Sequence, residues 1–152
     1  MVVLAYLRWL NGDRATAWSR VLAVVTLAIV AIWIGLATGV HDVTDKPLGT
    51  DFVAFWTAAR MLGDEASAAS VYNHARHGAL QAQVFGPDAG YAPFPYPPTF
   101  LLICLPLGLF PYLPALAAWV LATGYAYWRV ARAWLGQAAG LATPALAFPA
   151  VL

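Results

Sequence analysis

Val21–Val40 reads VLAVVTLAIVAIWIGLATGV. It carries no charge over about twenty residues, the length a helix needs to cross a hydrocarbon layer of roughly 30 Å. A cleaved leader would have an apolar core of about 7–15 residues followed by a small-residue cleavage site. This run is longer, and no sharp site of that kind precedes His41. The expectation is therefore a retained transmembrane helix over 21–40. Composition points the same way. The chain of 152 residues is 62% hydrophobic, 14% aromatic and only 10% charged, where soluble domains carry about 25% charged residues. A net charge of +1 without any basic block excludes nucleic-acid binding driven by bulk charge. Cys104 is the one cysteine, so no intrachain disulfide staples the fold. Its place inside an apolar run reads as a small buried residue.

On the N-terminal side, Val2, Val3, Leu4, Leu7 and Leu10 suit a short amphipathic helix lying on a membrane, with Asn11-Gly12 as a turn. Arg8, Arg14 and Arg20 all precede the apolar run. Cytoplasmic flanks are enriched in Lys and Arg, so the N-terminus is expected in the cytoplasm. Residues 41–110 are then expected on the extracytoplasmic side. The polar part of that loop, 41–98, holds three basic and six acidic residues, net −3 with His neutral.

Within the loop, Thr50 or Asp51 can cap a helix. Phe52, Phe55, Trp56, Ala59 and Leu62 follow at helical spacing, and Gly63 fits the stop. A second helix is expected over Asn73–Phe85, ended by Gly86-Pro87. Tyr91–Pro98, YAPFPYPP, must be extended because residues before proline avoid the helical region. Thr99–Phe110 is apolar but too short to span, and Pro106 interrupts it. It reads as a re-entrant or juxtamembrane helix. A second span is expected over 111–128, closed by Arg129 and Arg132. One span there returns both arginines to the cytoplasm, with Trp119 and Trp128 near the two interfaces. Leu141–Leu152 begins a third span. The expected fold is thus all-α and integral to the membrane, a single domain over 1–152. It would be multi-pass in the plasma (inner) membrane and the N-terminal part of a larger protein.

Several side chains are candidates for chemistry. Asp51, at a helix start, is either an N-cap or a general base toward a hydroxyl. Asp42 and Asp45 hold a cation or solvate the loop. Arg60, nine positions after Asp51, suits a phosphate or pairs with Asp64 at i+4. Both Asp51 and Arg60 could approach one cavity. His74 and His77 are spaced for a shared metal, but no carboxylate or cysteine sits at ligand spacing, which favours the reading without one. His41 reads as a solvated interfacial residue. Tyr96-Pro97-Pro98 is a rigid turn that could also wall a substrate pocket. Gly-rich phosphate loops, Ser-His-Asp patterns and zinc motifs are absent from the sequence.

The order Asp51-Phe52, Phe55-Trp56, Ala58-Ala59-Arg60, Gly63, Val71-Tyr72, Tyr96-Pro97-Pro98, Pro106-Leu107, Pro111 and Trp119 resembles the polyprenyl-phosphate-dependent glycosyltransferases of family 87, within the C-type architecture. The match covers roughly Thr50–Trp119 and the preceding apolar run. Asn73 departs from it, since the family more often has Asp after the Tyr. The resemblance implies the C-type glycosyltransferase fold, with two full transmembrane helices, an outer loop with juxtamembrane helices and the start of a third span. It implies transfer of a hexose, commonly mannose, from a polyprenyl-phosphate donor to a hydroxyl of a glycan or glycolipid acceptor, with inversion. Asp51 would be the catalytic base, and Arg60, Trp56 and Tyr96 would bind substrate. The implied partners are the lipid-linked sugar, the acceptor and the lipid bilayer. No cofactor is implied, and a divalent cation stays open. Taken alone, this portion is expected to be inactive. The alternative is a small non-enzymatic membrane protein that binds a partner through its outer loop.

Overall fold

The computed structural model describes residues 12–65 and 68–135. Six α-helices are seen among them: α1 Gly12–Gly35, α2 Thr50–Glu65, α3 Ala68–Val71, α4 His74–Phe85, α5 Leu101–Cys104 and α6 Tyr112–Leu135. Three 3-10 turns, Pro87–Ala89, Pro98–Phe100 and Leu105–Leu109, complete the set.

The all-α class stands, but the membrane-spanning architecture does not. Among the described residues no helix is long and apolar enough to cross a membrane. The apolar run that opened the sequence is not one helix. α1 starts among charged residues and ends at Gly35, and Leu36–Val40 is turn and bridge. The helical, uncharged part is Val21–Gly35, about 22 Å at 1.5 Å per residue, short of the roughly 30 Å required. α6 runs on through Arg129 and Arg132 to Leu135. Its uncharged part, Tyr112–Trp128, is about 25 Å long and is diluted by Pro114, Thr123, Gly124 and four Tyr and Trp side chains after Tyr112. The spans expected at 21–40 and 111–128 are therefore corrected. The multi-pass inner-membrane localisation, and the sidedness of 41–110 derived from it, are corrected with them. The N-terminal amphipathic helix, the Asn11 turn position and the third span at 141–152 lie outside the described residues.

The chain groups into two compact units, one of them Trp33–Val120. This unit is built on α2, whose residues Phe52 to Ala59 are buried without a break. Such a helix needs cover on every side, and α3, α4, α5 and the Leu105–Leu109 turn supply it. Phe85, Phe94, Leu101, Cys104, Leu107, Tyr112 and Ala115 complete the core.

Local signals set the ends of these elements. Asn73 is extended and its side chain accepts from the Arg76 N–H at 3.2 Å, capping α4. Gly86, at φ 90°, ends it, a conformation that suits glycine. α2 does not stop at Gly63 but continues to Glu65. The expected juxtamembrane helix over 99–110 is a broken series of 3-10 and α turns.

The loop before α2 is held by backbone pairing. Thr38 and His41 exchange bonds at 2.9 and 3.2 Å, and the Leu48 N–H reaches the Val40 carbonyl at 2.9 Å. Asp42 organises it further. One carboxylate oxygen accepts from the Thr44 N–H, the Thr44 hydroxyl and the Lys46 N–H at 2.8, 2.7 and 3.0 Å. The Thr44 hydroxyl first, then the Lys46 N–H, hold its carboxyl below the usual carboxylate range. Asp42 is therefore a loop-former.

The second unit holds the described residues up to Ile32 and from Leu121 onward. On the α6 side, Arg129 donates to the Tyr125 hydroxyl at 3.0 Å, and Arg132 lies 5.2 Å from the Trp128 ring centroid. Both pairs follow from i, i+4 neighbours sharing a helix face. On the α1 side, Val24, Leu27, Ile29 and Ile32 are all exposed.

Candidate functional site

The residues that carried the resemblance are far apart in sequence yet meet in one aromatic cluster. Phe52 lies 5.5 Å from Tyr112 and 6.2 Å from Trp119, centroid to centroid. Phe55 meets Tyr96, Phe100 and Trp119 edge-on at 5.1, 5.2 and 5.4 Å. Trp56 meets Tyr112 at 5.5 Å and Phe85 at 6.1 Å. Edge-to-face contacts suit the ring quadrupoles and add about 0.5–1.5 kcal/mol per pair beyond burial.

The polar edges of these rings are also used. The Trp56 indole N–H donates to the Phe110 carbonyl at 3.0 Å. The Tyr72 hydroxyl donates to the Tyr96 carbonyl at 2.8 Å. Tyr112 donates its hydroxyl to the Leu48 carbonyl. Most of the motif is thus packing, with its hydrogen bonds directed at backbone carbonyls.

Tyr91–Tyr96 has no regular secondary structure and is strapped to α4. The buried Gln81 side chain donates to the Ala92 carbonyl at 2.8 Å and accepts from the Ala92 N–H at 2.9 Å. A side-chain amide here does what a neighbouring strand would do. Sequence reading passed over Gln81; its place at i+4 between His77 and Phe85, on the buried face of α4, was the available signal.

Asp51 is left outside this packing. It lies in the first turn of α2 and is exposed. An acidic side chain is favourable there, beside the free N–H groups of the helix start. Arg60 is also exposed, but it is not near Asp51. Nine positions on one continuous helix amount to about 13.5 Å and about half a turn. The two side chains therefore leave opposite faces and do not share a site.

Arg60 instead donates to the Gly108 carbonyl at 3.2 Å and lies 5.8 Å from the Trp56 ring centroid. The pairing considered with Asp64 involves a side chain outside those described. Trp56 is buried, and Tyr96 is half-buried with its ring stacked on Phe100 at 4.9 Å. Of the four expected site residues, Trp56 and Arg60 are brought together, Tyr96 joins the cluster through Phe55, and Asp51 stands at the rim.

The histidines differ from expectation. His41 is not freely solvated, since its Nε2 lies 2.8 Å from the Phe85 carbonyl. His74 is exposed, with its Nδ1 2.9 Å from the Tyr91 hydroxyl. His77 is fully buried. The i, i+3 pair therefore divides between surface and core. Among the described residues no group of three or more His, Cys, Asp or Glu side chains could hold a metal ion.

No protein-family model, curated protein or solved structure matches the chain.

Proposed function

We propose that the chain contributes to a hexosyltransferase acting on a polyprenyl-phosphate sugar, with Asp51 as the catalytic base. Asp51 would take the proton of an acceptor hydroxyl as that oxygen attacks the anomeric carbon. The bond to the lipid phosphate breaks with its electron pair, the phosphate departs, and the anomeric configuration inverts. Because the donor is lipid-borne, this reading takes a lipid surface as a partner.

The observation that carries it is the standing of Asp51. Phe52, Phe55, Trp56, Tyr96 and Trp119 of the motif are packed into or against the core, whereas this carboxylate, at the head of the helix that organises that core, is exposed. Arg60 is not given the leaving phosphate, because it is about 13.5 Å along the helix on the far face. The test is Asp51→Asn in the full-length protein, assayed with polyprenyl-phosphate mannose and a hydroxyl acceptor. Loss of about 10²–10⁴-fold in turnover, the usual weight of a general base, with unchanged helix content is expected. Undiminished turnover would remove Asp51 as the base.

A second reading, a non-enzymatic binding protein, is favoured by a different observation. α1 exposes Val24, Leu27, Ile29 and Ile32, each above 60% accessible, and large exposed apolar surfaces mark interaction sites. It predicts no turnover in the same assay, for wild type and variant alike.

A further inference from the structure

His77 is wholly buried, and neither ring nitrogen has a hydrogen-bond partner. It sits on the inner face of α4 with Gln81 and Phe85. Two rings from the 91–98 strap approach it edge-on, Tyr91 at 6.0 Å and Phe94 at 6.5 Å. From α2 it meets the Ala54 backbone, whose carbonyl favours a proton on the ring without reaching hydrogen-bond geometry. One turn further along α2, the Thr57 hydroxyl is also buried and unpartnered.

Among the described residues no carboxylate acts on this ring; the charge that does is His74, of like sign. Tyr91 cannot supply an anion, since burial raises its phenol above the ordinary range. A neutral imidazole can be tolerated in such a seat, but an imidazolium there is shut off from solvent and meets no counter-ion among the described residues. Burial is accordingly the largest cause holding the His77 proton affinity down. The Ala54 carbonyl partly offsets it, and His74 adds to it.

We propose that His77 is an acid-operated latch: neutral, it seats α4 and the 91–98 strap on α2, and protonation releases them. The sign follows from linkage. The folded chain keeps His77 neutral below the ordinary histidine value of about 6.5, where an opened chain binds a proton. The closed form is therefore favoured above pH 6.5 and weakens as pH falls through it. One proton taken up on opening raises the opening equilibrium up to about tenfold per pH unit. The proposal does not depend on the glycosyl-transfer reading.

The test is native-state hydrogen exchange of the full chain at amides 74–85, from pH 7.5 to 5, with the intrinsic rate divided out. Wild type should open up to about tenfold more readily per pH unit below 6.5. His74→Gln, which removes the neighbouring surface histidine, should keep most of that slope, and His77→Gln should lose it. A flat wild-type profile, or a full slope in His77→Gln, overturns the latch. Should His77→Gln fail to fold, the wild-type ring is followed by NMR. Remaining neutral at least one pH unit below His74 supports the latch, and titrating at or above 6.5 overturns it.

Discussion

Gly108 lies directly against the backbone of Ala59. A Cβ at position 108 would stand 2.8 Å from both the carbonyl carbon and the carbonyl oxygen of Ala59. The Leu105–Leu109 turn can approach α2 this closely because residue 108 has no side chain. The same approach brings the Gly108 carbonyl within 3.2 Å of the Arg60 guanidinium. Because the obstructing atoms are backbone, they cannot rotate away. Gly108→Ala should cost about 1–3 kcal/mol, the usual range for overpacking, read as a lower denaturation midpoint at unchanged slope. A neutral result would mean that the turn packs elsewhere.

Gln81 is buried and makes two hydrogen bonds to one residue of the strap, Ala92. Gln81→Ala leaves both backbone groups of Ala92 without this partner. Each buried group left unpaired costs about 1–3 kcal/mol. Ala92 is half-buried, so global stability should fall by about 1–3 kcal/mol in all, with faster proteolytic cleavage within 86–98. Gln81→Glu should also destabilise, since a carboxylate cannot donate to the Ala92 carbonyl. Equal stability of both variants and wild type would remove the strap from the account.

Tyr112 is buried and donates to the Leu48 carbonyl. Burial raises its phenol far above the ordinary range. The unfolded chain ionises Tyr112 near pH 10, while the folded chain does not. The stability linked to this group is full below pH 10 and declines as pH rises beyond it. Alkaline titration followed by ultraviolet absorbance should show one tyrosine ionising only with unfolding. Tyr112→Phe should remove that late step and cost about 1–2 kcal/mol at neutral pH, through the unsatisfied carbonyl.

Cys104 has no exposed surface, and burial pushes its thiol up to about 11. Thiols react as thiolates and need access. A maleimide or disulfide reagent at pH 8 should therefore leave the native chain unmodified and label it fully in denaturant. Rapid native labelling would place Cys104 at the surface.

Residues 73–85 were legible from sequence because their signals are local. An Asn that bonds the first turn, a glycine beyond the last and a following proline act within a few residues of the backbone they control. The burial of Cys104 in an apolar run was legible for the same reason. The start of α2 near Asp51 was readable too, though its end was not: the helix runs past Gly63 to Glu65, and a glycine inside a helix costs only about 1 kcal/mol.

The sequence by itself determined that the chain is helical and rich in apolar and aromatic side chains, and where several turns fall. Tertiary structure decided what those side chains do. Counting uncharged residues over 21–40 measured apolarity but not the end of the helix at Gly35, where the chain turns toward the 38–48 loop. The seat of His41 on the Phe85 carbonyl and of Tyr112 on Leu48 joins positions 44 and 64 residues apart. The burial of His77 beside an exposed His74 depends on which face of α4 meets α2. The separation of Asp51 from Arg60 depends on α2 being one continuous helix. Backbone preferences act over one or two turns; packing selects partners across the whole chain, and no local pattern encodes that selection.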